Sequence, residues 1–130
     1  MNLKVSFLKS LNSSIKSNNL QTLSETLPNY LYYPLTKDEL YLVCFGYHKI
    51  KNFVQSNVLI GQAKSSASDD PLQQQYTRLE IFNYFFLSNF DKTRKLVLQF
   101  LTSNFDEEVV KIFYLSCKSI DDYNFFFKQN

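Results

Sequence analysis

Cys44 and His48 stand four residues apart in an apolar-periodic stretch, and on a helix that spacing brings a thiol and an imidazole onto one face. Such a pair supports two chemistries: ligation of a metal ion, or a thiolate nucleophile activated by the imidazole. Neither is completed by the neighbouring residues. Zinc takes four ligands, or three and a water, yet His48 is the only histidine, no Cys-x-x-Cys occurs, and no carboxylate lies nearby at ligand spacing. A nucleophile also needs a group that orients its base and donors for an oxyanion, and nothing in the sequence supplies them. The two glycines, Gly46 and Gly61, form no phosphate-binding loop. The expectation is a non-enzyme with no catalytic residue, no metal and no cofactor; an enzyme centred on Cys44 and His48 ranks last among the alternatives.

Two other residue classes can recognise a partner. Lys92, Arg94 and Lys95 form a basic cluster, and Lys49 and Lys51 another; beside exposed tyrosines such cations can hold single-stranded nucleic acid by phosphate attraction and base stacking. The overall charge makes this the second reading, because fourteen basic against twelve acidic side chains leave only +2. The charge is uneven: residues 1–64 hold seven Lys and three acids, net +4, and residues 65–130 hold seven basic and nine acidic groups, net −2.

The aromatic surplus says more. The chain has thirteen Phe and nine Tyr. Tyr30, Tyr32 and Tyr33 crowd one helix end, and Tyr123, Phe125, Phe126 and Phe127 crowd the C-terminus, where few residues remain to cover them. Three consecutive Phe on a helix cannot all face one core, so at least one projects outward, and clustered exposed rings mark an interface. Tyr32, Tyr33, Tyr123, Phe125, Phe126 and Phe127 are accordingly the expected contacts to one or more protein partners, with self-association through the C-terminal rings as one form of contact. A terminus folded back over its own rings, or a longer chain covering them with a next helix, would also account for the surplus.

The elements that position these residues read as helices. Leu3, Phe7, Leu8, Leu11 and Ile15 recur at three- and four-residue intervals, and Leu20, Leu23 and Leu27 do so again before Pro28. Asn18 or Asn19 can cap the second of these helices, making an αα-hairpin. Thr36 and Glu39 have capping-box spacing, and from there one helix is expected to run through Leu40, Val43, Tyr47, Ile50 and Val54. Residues 61–70, GQAKSSASDD, are small and polar and read as a mobile loop separating two helical halves of a single domain spanning 1–130. Asp70-Pro71 then opens a helix that ends near Leu87.

In the second half Phe90-Asp91, Phe105-Asp106 and Ile120-Asp121 recur at fifteen-residue intervals. Each Asp is expected to cap a helix, since a carboxylate there accepts backbone N–H bonds and complements the positive helix end. Phe105 and Val110 have the spacing of a hydrophobic staple. Residues 79–101, LEIFNYFFLSNFDKTRKLVLQFL, resemble one helix-turn-helix unit of the tetratricopeptide kind, whose turn typically reads Leu-Gly-Asn-Tyr-Asp-Lys-Ala against Leu87-Ser88-Asn89-Phe90-Asp91-Lys92-Thr93. The family's Trp and helix-terminal Pro are missing, and fifteen-residue intervals differ from its repeat of about 34. The resemblance implies stacked helical hairpins of the sort that also open the arms of proteasome-lid, signalosome and initiation-factor scaffold subunits in eukaryotes.

The fold class expected is all-α, stacked antiparallel helical hairpins forming a short α-solenoid or compact bundle of about six to eight helices, with no β-sheet. No run reaches the roughly 18 apolar residues of a membrane span, and the N-terminus is too interrupted for a signal peptide. With both cysteines in apolar stretches, an intracellular setting, cytoplasmic or nuclear, is expected. The function expected is a non-catalytic protein-interaction or scaffolding module.

Overall fold

The computed structural model describes residues 2–64 and 71–117. Among these there are seven α-helices and no strand: α1 Leu3–Lys16, α2 Leu20–Thr26, α3 Lys37–Lys49, α4 Phe53–Lys64, α5 Pro71–Phe86, α6 Phe90–Leu101 and α7 Glu107–Ser116, with a 3-10 helix at Leu27–Tyr32. The chain is all-α, and its helices pack on their neighbours. It forms two compact units, Met1–Ser68 and Asp69–Asn130, divided within the polar stretch that the sequence marks.

In the first unit α1 packs on α2 and α3, and α3 packs on α4 and the 3-10 helix. Pro28 sits in the first turn of the 3-10 helix, where its missing N–H costs nothing, and α2 ends at Thr26 before it. The Thr36 box forms as its spacing predicts: Thr36 Oγ1 accepts from the Glu39 N–H (3.2 Å) and Glu39 Oε1 from the Thr36 N–H (2.8 Å). Lys4 Nζ reaches the same carboxylate at 2.7 Å, and this bond leads the causes that hold Glu39 below the usual carboxylate range.

The helix begun at Thr36 does not continue to Val54. It breaks at Ile50–Asn52 because Lys51 takes φ 66°, a left-handed conformation that ends α3, and Asn52 then opens α4. Nor do residues 61–64 belong to a loop: Gly61 to Lys64 form the last turn of α4, with Ala63 buried. That turn stays helical because Ala63 continues the buried face of Ser56, Leu59 and Ile60.

One connector occurs three times. Asn18, Lys51 and Ser88 have φ 56°, 66° and 60°. Each donates its N–H to a carbonyl three residues back, on Ile15, His48 and Phe85. The following Asn donates to a carbonyl five back, on Ser14, Tyr47 and Tyr84, at 2.9 Å each time. These are the paired bonds of a Schellman turn. The same Asn caps the next helix at once: the side-chain oxygens of Asn19, Asn52 and Asn89 accept from the N–H groups of Thr22, Gln55 and Lys92. Helices joined without a spacer fold back on each other, giving hairpins α1–α2, α3–α4 and α5–α6.

The hairpins share a packing register as well as a turn. Eight residues before each capping Asn stand Leu11, Cys44 and Ile81; four after stand Leu23, Ser56 and Thr93; eight after stand Leu27, Ile60 and Val97. All nine are 0 % exposed. Positions four and eight after the cap fall on one side of the helical segment that follows, α4 and α6 in the later hairpins and α2 running into the 3-10 helix in the first, so the same pair is buried each time. Where the pair carries a polar side chain it is bonded: Ser56 Oγ donates to the Cys44 carbonyl at 2.8 Å, and Thr93 Oγ1 to the Asn89 carbonyl at 2.8 Å. The capping asparagines lie 33 and 37 residues apart.

Left-handed backbone is unfavourable for a lysine by about 1 kcal/mol or more relative to glycine. Lys51→Gly should therefore raise stability by about 0.5–1 kcal/mol. The check is a higher urea midpoint at unchanged slope; a lower midpoint would mean that Lys51 does not hold the turn described.

In the second unit α5, α6 and α7 pack on one another around Ile81, Leu96, Val97, Phe100, Val109, Ile112 and Phe113. Asp106 caps α7, accepting from the Glu108 and Val109 N–H groups at 3.0 and 3.2 Å, and Arg78 Nε binds its other oxygen at 2.7 Å. Burial pushes the Asp106 carboxyl up, but the Arg78 guanidinium and the two amides together hold it below the usual range. Asp91 is not a cap, because Asn89 takes that role two residues earlier, and Asp121 lies outside the described residues. Phe105 is 80 % exposed and forms no staple with Val110.

Candidate functional site

Cys44 and His48 lie in the last two turns of α3 but serve packing. The Cys44 thiol is fully buried, and burial pushes it up to about 12. His48 lies between two rings, 6.0 Å from Phe45 and 5.4 Å from Phe53. Among the described residues no three His, Cys, Asp or Glu side chains are grouped to hold a metal ion. With Cys117→Ser as background, Cys44 should resist a thiol reagent such as dithionitrobenzoate at pH 8 and react fully once urea is added. Rapid labelling of the native protein would contradict the enclosure.

The basic cluster is divided by the fold. Lys92 and Lys95 are exposed, whereas Arg94 is 7 % exposed and points inward. Its guanidinium donates to the Ser116 carbonyl at the end of α7 and to Asp91 Oδ1. The Ser116 carbonyl belongs to the last helical turn and has no intrahelical donor, so Arg94 satisfies it and ties α6 to α7. Arg94 thus serves as a cation tying the helices together, and of the three residues expected to bind nucleic acid only Lys92 and Lys95 are exposed.

Of the aromatic residues expected to meet a partner, Tyr32 is 78 % exposed and follows Leu31 at 74 %, at the end of the 3-10 helix. Tyr33 is half-buried and stacks on Phe7 with centroids 5.1 Å apart, so part of its ring is used within the first unit. Tyr123, Phe125, Phe126 and Phe127 lie outside the described residues.

A second apolar surface lies at the α5–α6 connector. Phe86, Leu87 and Phe90 are each more than a third exposed, and their neighbour Phe85 bridges them, with its ring 5.7 Å from Phe86 and 5.8 Å from Phe90. The Schellman turn at Ser88 and the Asn89 cap hold the flanking rings on a short, fully hydrogen-bonded frame. Beside them a cleft of about 280 Å³ is lined by Ser88, Asn89, Phe90, Asp91, Arg94 and Ser116. The local sequence carries the signal, since Phe85-Phe86-Leu87 and Phe90 flank the Ser88-Asn89 turn, whereas the equivalent positions of the first hairpin are Ile15-Lys16-Ser17 and Leu20. Aromatic side chains are enriched at protein interfaces relative to the rest of a protein surface.

Compared with protein-family models, curated proteins and solved structures, the chain matches none. No helix among the described residues is long and apolar enough to cross a membrane.

Proposed function

We propose that this chain is a non-catalytic protein-binding module, working as a scaffolding subunit or segment of a multi-protein complex, and that the α5–α6 tip is its principal contact. The observation that carries this is the group Phe86, Leu87 and Phe90, apolar side chains exposed together at a hydrogen-bonded turn and underlain by the partly buried Phe85 ring. Burying such a group against a partner removes apolar area from water at roughly 25 cal/mol per Å², with little ordering needed beforehand. Tyr32 and Leu31 offer a second contact on the first unit.

The hairpin register favours a place among tetratricopeptide-like scaffolds of the cytoplasm or nucleus. Asparagine turns 33 and 37 residues apart bracket the repeat of about 34 in that family, and Ser88 holds φ 60° where the family's turn carries glycine. Proteins are the partners on this reading, with nucleic acid second.

The test is affinity capture from the native cell with Leu87→Ser and Phe90→Ser together. The expected outcome is loss of at least one specifically recovered protein while far-UV circular dichroism is unchanged. Recovery of every partner at wild-type level would overturn the assignment of the tip. Retention on heparin at low salt, abolished by reversing Lys92 and Lys95, would favour nucleic acid instead.

A further inference from the structure

We draw no further inference here: the strongest candidate, the outward face of α7 around the half-exposed Tyr114 and Leu115, is an apolar surface patch for which nothing in the structure shows what covers it.

Discussion

Phe113→Ala should destabilise the protein by about 3–5 kcal/mol, the usual range for removing a fully buried aromatic ring. Phe113 is 0 % exposed and sits among Ile81, Leu96, Val97, Phe100, Val109 and Ile112, contributed by all three helices of the second unit. Deleting the ring removes its transfer free energy and also leaves a cavity that α5, α6 and α7 can close only by shifting together. Small domains are stable by roughly 5–15 kcal/mol in all, so the loss is a large fraction of the total. Urea unfolding followed by circular dichroism should show a much lower midpoint. Leu115→Ala, on the same helix but 51 % exposed, should move it by no more than about 0.5 kcal/mol. Similar shifts for the two variants would mean that α7 presents a different face to the core.

Helices whose ends are marked by side-chain chemistry are legible in the sequence. Thr36 and Glu39 announce a capping box, and the box is there. The break at Lys51 is not legible, because lysine has no preference for left-handed backbone and the apolar stripe runs on without interruption from Val43 to Val54. Its signal is the asparagine that follows, and only the comparison of Asn19, Asn52 and Asn89 reveals it.

The tetrapeptide Ser-Asn-Phe-Asp shows why the fifteen-residue spacing misleads. It occurs at 88–91 and again at 103–106. In the first copy Ser88 turns left-handed, Asn89 caps α6 and Asp91 is free to meet Arg94. In the second copy Asp106 is the cap, while Asn104 donates to the Phe100 carbonyl and to Gln74 Oε1, both at 3.1 Å. Four identical residues thus close two different turns. Tertiary partners decide between them: Arg78 is there for Asp106, and Arg94 for Asp91.

The candidate site was less legible than the fold. Composition shows that the chain has more rings than one small core needs, but not which rings are left outside. Phe82 and Phe86 are one helical turn apart on α5, yet Phe82 is partly buried under Arg78, 4.8 Å from its ring, and Phe86 faces solvent. Arg94 is the converse case: three cations within four residues read as one surface, and the helix carries the middle one inward.

Gly46→Leu should be the most damaging change in the first unit that adds atoms instead of removing them, costing about 3 kcal/mol. Gly46 lies in α3 with Leu11 of α1 and Leu27 of the 3-10 helix packed beside it. A Cβ there would stand 2.7 Å from Leu27 Cδ2 and 3.5 Å from Leu11 Cδ1, and both leucines are 0 % exposed. For Gly46→Ala two effects of similar size oppose each other: helix propensity favours alanine by about 1 kcal/mol, and displacing the Leu27 methyl costs a comparable amount. That variant should be within about 1 kcal/mol of the parent. Leucine gains the same propensity but adds three further carbons with nowhere to go, so the clash wins. The cause can be isolated with Leu27→Ala, which alone should cost about 2–5 kcal/mol by opening a cavity. In that background Gly46→Leu should be tolerated or even stabilising, because its side chain fills the space vacated. A coupling of 1 kcal/mol or more between the two sites is the expected result. Simple additivity would show that the first hairpin does not rest on α3 at Gly46.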